Sequence, residues 1–449
     1  MPSSPAKSVV GKNNPVIHTF PNGLRLVYES PKTKLPQTYI RAFCHVGSIN
    51  EPPSIRGAAH FIEHMCFKGS RHFPSFLAVN DPIGNSGAFF NASTDKQYTV
   101  YKINCLDSHV QEFLRILGDM MLLSKFDKVE YKRELNVVRE EVKMQKPESY
   151  VEKLLFSGTP YANWIDHKSF HSAAGCLPYD EVVDFYHKYY TPQNMVISIV
   201  SSIPFSVILR HLGSTPFTKP VAAPKQIPPI LNSVPGTVSA ACESKYTFQS
   251  NESDVTRIEI GVRVCDQFNS EEYHILNVLV NILAGSMNSV LFTELREKRG
   301  LTYKSGANMI LYEPAGVFII HATSDTTRLI KDGSNPGVIP ILFGIIEDLI
   351  SRGVRDRDFT KAKTQIKEQL KMNSIADITK CGYNGVRVML HNETEILTND
   401  QIYDKCYKSI KKSDVNEIIQ KYFAPKQFYF SVVGGKLPKK SDLTRFLEK

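Results

Sequence analysis

The chain has 449 residues, more than one hydrophobic core usually supports, so two or more domains are expected. Its 42% hydrophobic and 22% charged residues are typical of a globular protein, and no apolar run approaches the ~20 residues that span a bilayer. The net charge of +9 favours acidic partners, but no basic cluster interleaved with aromatic residues indicates nucleic-acid binding.

The first residues and the cysteines bear on where the chain resides. Met1 to Pro15 include neither the apolar segment of a secretory signal nor an arginine, which mitochondrial transit peptides favour. The eight cysteines form no CxxC pair, which favours reduced, buried thiols over a disulfide framework. We therefore expect an intracellular protein, with the cytoplasm as the first expectation and mitochondria as the alternative.

Hydrophobic periodicity predicts strands and helices in both halves of the chain. In the first half, alternate residues from Ile40 to Val46 are apolar and indicate a strand, and apolar residues from Val110 to Met121 recur at helical spacing. In the second half, alternation from Ile258 to Val264 indicates a strand, followed by a helical run from Glu271 to Leu283. Alternation implies sheets with one covered face, so each half is predicted to be an α+β sandwich.

Two short segments of the first half recur in the second half without a gap. Residues 188–192 (KYYTP) match residues 421–425 (KYFAP), and residues 198–200 (SIV) match residues 431–433 (SVV), both at an offset of 233 residues. Each pair is typical of a helix end, a proline turn and a strand. Self-similarity at about half the chain length indicates the duplication of one domain.

A proline-rich stretch separates the two halves. Gly213 to Gly236 contain six prolines and few large apolar residues, which is typical of an extended linker. The predicted organisation is an N-terminal domain of residues 1–212, a linker of residues 213–239 and a homologous C-terminal domain of residues 240–449.

The most informative short motif is His60-Phe61-Ile62-Glu63-His64. On a helix, residues four apart lie on one face, about 5–6 Å apart at Cβ, which suits two histidine ligands of one metal ion. The flanking residues are apolar and indicate a buried helix, and buried histidines need partners that a zinc ion would provide. Glu63 can face the same centre and is suited to take a proton from the water that the metal activates. The alternative is a pair of surface histidines without a metal.

A third ligand is expected, because a catalytic zinc usually takes three protein ligands. One helical stripe of the following acidic segment comprises Glu134, Val137, Val138 and Glu141. The two valines mark this stripe as the inward face, so Glu141 is preferred over Glu140, which falls on a polar face. Buried carboxylates are costly without a compensating cation. Glu134 is predicted to tune the site or to orient a histidine, and a solvated acidic face is the alternative.

These residues resemble the pitrilysin-type zinc peptidases, and the resemblance covers nearly the whole chain. The motif His60-x-x-Glu63-His64, followed by ELNVVREEV from Glu134, is most similar to the β subunit of the mitochondrial processing peptidase and to related bacterial processing proteases. The resemblance implies one zinc ion per chain, bound by His60, His64 and Glu141, with Glu63 as the general base. It also implies two homologous halves that enclose a chamber.

The resemblance also gives a role to residues 87–94 (GAFFNAST). They resemble the edge strand of the family, in which Asn91, Ala92 and Thr94 would hold the substrate backbone. An extended peptide can add to a sheet edge through main-chain hydrogen bonds, and this needs small or polar residues there. Without the family, an ordinary turn explains the segment equally well.

Residues 295–303 (LREKRGLTY) are interpreted through the same resemblance. They resemble the element whose Arg296 and Tyr303 reach the zinc from the second half, where they would stabilise the tetrahedral intermediate or the bound chain. On its own, the segment is typical of an exposed helix end with Gly300 as its cap.

The sequence therefore predicts a zinc-dependent endopeptidase that hydrolyses unfolded or short peptides. Peptide substrates are the expected partners, together with a second copy of the chain or a paralogous partner subunit. Two alternatives stay open. One is a non-catalytic processing or scaffold subunit that needs a paralogous partner, and the other is a peptide-binding protein whose metal motif is vestigial.

Overall fold

A computed structural model describes residues 14–31, 35–144, 149–162, 177–220, 245–265, 270–312, 315–373, 377–424 and 427–447. The chain divides into two compact units, each built from three segments. Unit 1 comprises Met1–Lys146, Trp164–Ile230 and Met372–Asn399, and unit 2 comprises Pro147–Asn163, Leu231–Lys371 and Asp400–Lys449. Among the helices of the described ranges, none is both long and apolar enough to cross a bilayer.

Unit 1 contains a six-stranded sheet. Its strands are β1 (Val16–Thr19), β2 (Arg25–Glu29), β3 (Gln37–Cys44), β4 (Phe89–Thr94), β5 (Thr99–Leu106) and β6 (Met195–Val200). They lie in the order β1-β2-β6-β3-β5-β4, and only the β2–β6 pair is parallel. The alternation predicted around Ile40 is confirmed, because Ile40, Ala42 and Cys44 on β3 are fully buried. Strand β4 lies at the outer edge of this sheet.

Unit 2 contains a five-stranded sheet. Its strands are β7 (Tyr246–Ser250), β8 (Val255–Val264), β9 (Lys304–Tyr312), β10 (Ala315–Asp325) and, after a short hairpin of β11 (Lys331–Asp332) and β12 (Asn335–Pro336), β13 (Tyr429–Gly434). The order is β7-β13-β8-β10-β9, with only β7–β13 parallel. Strand for strand, this repeats the order and direction of β2-β6-β3-β5-β4. The predicted duplication of an α+β domain is therefore confirmed.

The helices follow in chain order. They are α1 (Ala58–Cys66), α2 (Phe76–Asn85), α3 (Val110–Leu122), α4 (Lys128–Met144), α5 (Tyr150–Leu155), α6 (Tyr179–Tyr189), α7 (Phe205–Gly213), α8 (Glu271–Ala284), α9 (Val338–Arg352), α10 (Asp356–Asn373), α11 (Asp377–His391), α12 (Asn399–Ile402), α13 (Lys412–Tyr422) and α14 (Lys440–Thr444). The segment Phe292–Glu297 forms a π-helical turn. The predicted helices at 110–121 and 271–283 are present as α3 and α8. Helices α6 and α13 both begin and end at an offset of 233 residues, as the sequence repeat predicts.

Each sheet takes one helix from the other half of the chain. In unit 1, α11 packs on the face opposite the main core, where Val388 and Met389 join Phe43 and Val196 in a second apolar cluster. In unit 2, α5 lies against the sheet, and an added Cβ on Gly261 would lie 2.3 Å from Val151 Cγ1. The alternation of apolar residues predicted one covered face for each sheet, and α11 and α5 cover part of a sheet face beyond that prediction.

The predicted domain boundaries are corrected by this exchange. A single division at residues 213–239 assigns α5 to the first domain and α11 to the second. In the structure, α5 belongs to unit 2 and α11 belongs to unit 1. The start of the predicted linker is also packed, because Gly213 ends α7 and Phe217 is fully buried. Residues 221–239 lie outside the described ranges. The chamber predicted between the two halves stays a prediction.

The burial predicted for the cysteines holds for four of the six in the described ranges, because Cys265 and Cys406 are partly exposed. All six of them are free thiols: Cys44, Cys66, Cys105, Cys265, Cys381 and Cys406. Burial raises the pKa of Cys66 to about 12, so this thiol in the motif helix is neutral and acts as a core residue.

Candidate active site

Helix α1 carries the motif His60-x-x-Glu63-His64, and a buried carboxylate fixes its first turn. Glu51 Oε2 accepts a hydrogen bond from Gly57 N and Glu51 Oε1 accepts one from Ala59 N, both at 2.8 Å. Gly57 has a φ of 94°, a left-handed conformation that favours glycine. Burial raises the pKa of Glu51 to about 7, although the two hydrogen bonds favour the charged form. The Glu51 side chain thus holds the first turn of α1, from which His60 projects, in place.

Three side chains of unit 1 converge on one point. His60 Nε2 and His64 Nε2 are 3.3 Å apart, and their rings are nearly perpendicular, at 86°. From α4, Glu141 Oε2 lies 3.3 Å from His64 Nε2, and Glu141 Oε1 lies 3.6 Å from His60 Nε2. In the described ranges, this is the one group of at least three His, Cys, Asp or Glu residues close enough to hold a metal ion.

The separations of these donors fit a tetrahedral zinc ion. Bonds of about 2.0–2.2 Å to nitrogen and oxygen, at tetrahedral angles, put neighbouring donors about 3.3–3.6 Å apart. The two Nε2 atoms are 3.3 Å apart, and each histidine has its own nearest oxygen of Glu141, so each of these nearest separations, 3.3, 3.3 and 3.6 Å, falls in that range. Two imidazoles and one carboxylate are also the donor types of catalytic zinc sites, which keep a fourth position for water or substrate. The residues present therefore fit zinc.

A second carboxylate on α4 orients His64. Glu134 Oε1 accepts a hydrogen bond from His64 Nδ1 at 2.8 Å, and Glu134 Oε2 lies 2.5 Å from Lys68 Nζ. A hydrogen bond at Nδ1 leaves Nε2 as the lone-pair atom that can face a metal. Burial alone would lower the pKa of His64, but Glu134 and the neighbouring carboxylates raise it on balance. Burial would likewise raise the pKa of Glu134, but the hydrogen bonds from His64 and Lys68 lower it, so Glu134 is charged.

Glu63 lies beside the three donors but is not one of them. It is buried, at 7% exposure, and Glu63 Oε2 accepts a hydrogen bond from Thr94 Oγ1 at 2.6 Å. Glu63 Oε1 has no hydrogen-bond partner within the described part of the chain. Burial raises the pKa of Glu63, against the opposing effects of His60 and Thr94. A carboxylate with a raised pKa and one unpaired oxygen is suited to proton transfer near neutral pH.

The structure corrects one step in the choice between Glu140 and Glu141. Val138 is fully buried, but Val137 is 49% exposed and does not mark an inward face. Adjacent helical residues are about 100° apart, so Val137 and Val138 cannot both be central to one stripe. Glu141 still turns toward the histidines, at the border of the buried face, whereas Glu140 pairs with Lys143 at 2.5 Å on the exposed side.

A cleft of about 500 Å³ opens over the three donors and reaches strand β4. Its lining includes Asn91, Ala92 and Thr94, the three residues predicted to contact substrate. Side chains along β4 alternate between exposed and half-buried. Thr94 is half-buried and its hydroxyl donates a hydrogen bond to Glu63, whereas Asn91 is exposed. Because β4 is an edge strand, its outer main-chain groups face away from the sheet. The structure thus brings the predicted metal, base and edge-strand residues together in unit 1.

Arg296 and Tyr303 lie in unit 2, near the edge strand β9. Arg296 Nη1 donates a hydrogen bond to Tyr303 O at 3.0 Å, and the Tyr303 side chain is 65% exposed. Gly300 has a φ of 61°, and Lys298 and Arg299 pair with Glu294 at 2.6 and 2.8 Å. The features of an exposed, glycine-capped helix end are therefore present. The catalytic role of Arg296 and Tyr303 stays a prediction.

Sequence reasoning missed four residues of the cleft: Phe67, Lys68, Phe76 and Ser93. Lys68 pairs with Glu134, and its ammonium also lies 5.3 Å from the centre of the Phe76 ring. Phe67 and Phe76 line the same cleft. A signal for Lys68 was present, because His60, His64 and Lys68 recur at intervals of four residues. Phe76 carries no such signal, since it lies at the start of a separate helix.

Comparison with known proteins finds family models of peptidases and relatives that are named as zinc proteases. Residues 26–168 match the family model described as "Insulinase (Peptidase family M16)", and residues 177–366 match "Peptidase M16 inactive domain". A Bacillus subtilis protein named uncharacterized zinc protease YmxG is 27% identical over 90% of this chain and 95% of its own length. An uncharacterized zinc protease of Streptomyces coelicolor is 25% identical over 78% of this chain and 74% of its own length.

Solved structures show the same fold. A protease from Helicobacter pylori superimposes with a TM-score of 0.79 at 18% identity, over 94% of this chain and 99% of its own. The periplasmic protease PqqL from Escherichia coli gives a TM-score of 0.75 at 17% identity, over 98% of this chain and 50% of its own. Since the two family models together match most of the chain between residues 26 and 366, the chain belongs to peptidase family M16.

Proposed function

We propose that the chain is a zinc-dependent endopeptidase that binds one zinc ion through His60, His64 and Glu141. The observation that carries this proposal is the convergence of two imidazoles and one carboxylate, whose ligand atoms lie within 4.8 Å of one another, beside a buried carboxylate that is not one of them. Relatives that are named as uncharacterized zinc proteases support it. The placement near the processing-peptidase branch, and the location in cytoplasm or mitochondria, rest on the sequence alone.

In this mechanism Glu63 moves protons. When bound, zinc would polarise the scissile carbonyl and lower the pKa of a water molecule. Glu63 takes a proton from that water through Oε1, while Thr94 holds Oε2 in place, and it later gives the proton to the leaving amine. Glu134 keeps the His64 ring in the orientation that directs Nε2 toward the donors.

Substrate would bind as an extended strand along β4. Main-chain groups alternate between the two edges of β4, so those of Ala92 and Thr94 face outward beside Glu63, with the exposed Asn91 side chain next to them, and a peptide added there would pass the general base. Only an unfolded or short chain can take this extended form, which defines the substrate class. Arg296 and Tyr303 would supply donors for the oxyanion of the tetrahedral intermediate.

The function is tested with internally quenched peptides blocked at both termini. We expect the purified chain to cleave them, to lose this activity with a zinc chelator and to regain it with zinc. Magnesium should not restore activity, because it prefers oxygen ligands in octahedral geometry. Cleavage that continues unchanged after complete removal of zinc would overturn the proposal. Zinc binding without cleavage would instead favour a subunit that needs a paralogous partner or only binds peptides.

A further inference from the structure

Unit 2 contains a polar cavity that the proposed peptidase chemistry does not use. Its volume is about 270 Å³, and three neighbouring strands, β8, β10 and β9, form most of its wall. The side chains that give it polar or charged groups include Arg257, Glu259, Lys304, Asn308, His321 and Thr323. All of these residues belong to unit 2.

The register of the strands explains why these groups meet. Across the three strands, one row consists of Glu259, His321 and Gly306, and the next consists of Arg257, Thr323 and Lys304. Residues two apart on a strand face the same side, so both rows contribute to one face. Gly306 makes room for the imidazole, because an added Cβ would lie 2.6 Å from His321 Nε2. The cavity is therefore built into the sheet.

The negative charge of the Glu259 carboxylate in this cavity is compensated by neighbouring groups of the protein. Glu259 is fully buried, and Glu259 Oε1 lies 2.6 Å from Arg257 Nη2. Glu259 Oε2 accepts hydrogen bonds from Tyr150 N at 2.8 Å and from Val151 N at 3.1 Å, at the start of α5. Hydroxyls of Ser149 and Ser431 also donate to Oε2, each at 3.1 Å. The charge of Glu259 is thus compensated by Arg257 at Oε1 and by four hydrogen bonds at Oε2, and the other polar side chains of the cavity include Lys304, Asn308, His321 and Thr323.

The remaining groups favour an anion. Within the described ranges, Lys304 has no carboxylate within 4.0 Å, and the His321 ring makes no hydrogen bond. Burial lowers the pKa of His321, and the positive charges of Arg257 and Lys304 lower it further, so the imidazole is neutral near pH 7. One lysine, one arginine and one glutamate then give the lining a net charge of +1. Ile310 and Ile319 add an apolar wall.

We propose that this cavity binds a carboxylate, supplied either by a peptide or by a free small carboxylic acid. A single net positive charge matches a monoanion, and Lys304 would be its main charged partner. The Asn308 amide and the Thr323 hydroxyl can add hydrogen bonds, while the two isoleucines would contact the carbon chain. The proposal goes beyond peptide hydrolysis and does not depend on it, because the metal-binding residues lie in unit 1.

Chemical labelling of lysines in the whole protein tests the proposal. Acetylation rates at Lys304 and at Lys436, an exposed lysine of the same unit, are measured by mass spectrometry with propionate, N-acetylalanine, N-acetylalaninamide or inorganic phosphate present. At about ten times Kd, a bound carboxylate should slow labelling of Lys304 about tenfold by mass action and leave Lys436 unchanged. The uncharged amide should have no effect.

The comparisons within this experiment decide its outcome. Stronger protection by N-acetylalanine than by propionate assigns the site to peptides, and equal protection assigns it to small acids. In saturation-transfer NMR, the Lys304→Gln variant should lose N-acetylalanine binding and Lys436→Gln should retain it. Equal protection by the acid and the amide, stronger protection by phosphate, or no protection of Lys304 would each overturn the carboxylate site.

Discussion

At the scale of single residues, the neighbouring glutamates of α4 give the sharpest contrast. Glu141 Oε2 lies 3.3 Å from His64 Nε2, whereas Glu140 pairs with Lys143 on the exposed side of the helix. We expect Glu141→Gln to weaken zinc binding by about 100-fold or more, because an amide replaces a charged ligand. The matched variant Glu140→Gln should bind zinc like the wild type. Competition with a chromophoric chelator measures both, and equal affinities would rule out Glu141 as a ligand.

The sequence predicted much of the site because helical spacing carries it. His60, Glu63 and His64 lie on one helix, so helical spacing alone predicts that they are close together. The structure also brings Glu141 of α4 to the two histidines, as the helical spacing of the acidic segment suggested. Other contacts depend on how separate elements pack. Nothing in the sequence indicates that Thr94, on an edge strand, donates to Glu63. Metal binding by these residues stays a prediction until it is measured.

At the scale of elements, helix α11 tests the exchange between the halves of the chain. Gly385 faces the sheet of unit 1, and an added Cβ would lie 2.1 Å from Cε2 of the buried Phe43 ring. Gly382, on the same helix, has no atom within 4 Å of such a Cβ. We expect Gly385→Ala to lower the free energy of unfolding by roughly 1–3 kcal/mol through overpacking. Gly382→Ala should raise it by up to about 1 kcal/mol.

Urea unfolding of both alanine variants and the wild type makes this comparison. If Gly385→Ala is as stable as Gly382→Ala, α11 does not pack on this sheet in solution. The exchange itself was out of reach of the sequence, because periodicity gives the buried face of α11 but not the sheet that covers it. Cys381, for example, donates to Tyr39 O and Ser198 O, more than 180 residues away.

The start of α1 should make stability depend on pH. The pKa of Glu51 is about 7 in the folded chain and near 4.5 when unfolded, so the folded state holds its proton to higher pH. This carboxyl therefore stabilises the fold most below pH 4.5, and its contribution falls by roughly 2–3 kcal/mol as the pH rises to 7. Urea unfolding at several pH values should show this fall in the wild type but not in Glu51→Gln. Parallel pH profiles would contradict the assignment.

At the scale of the whole molecule, the described part of the duplicated fold contains one group of side chains that could hold a metal ion. The strand order of unit 2 repeats that of unit 1, and α8 follows β8 as α1 follows β3. Helix α8, however, has a single histidine, His274, and carries Leu279 and Leu283 along its buried side. Two histidines four residues apart are absent from it. Duplication therefore explains two similar sheets in one chain, while the candidate metal ligands of the described residues lie in unit 1 alone.

The central claim is a zinc peptidase in which Glu63 transfers protons without binding the metal. Its most direct test measures bound zinc and peptide cleavage together, in the wild type and in Glu63→Gln. We expect one zinc per chain in both proteins, and a loss of about 10²–10⁴-fold in turnover in the variant alone. A Glu63→Gln protein that cleaves peptides at the wild-type rate, or a wild type that cleaves them without zinc, would contradict it.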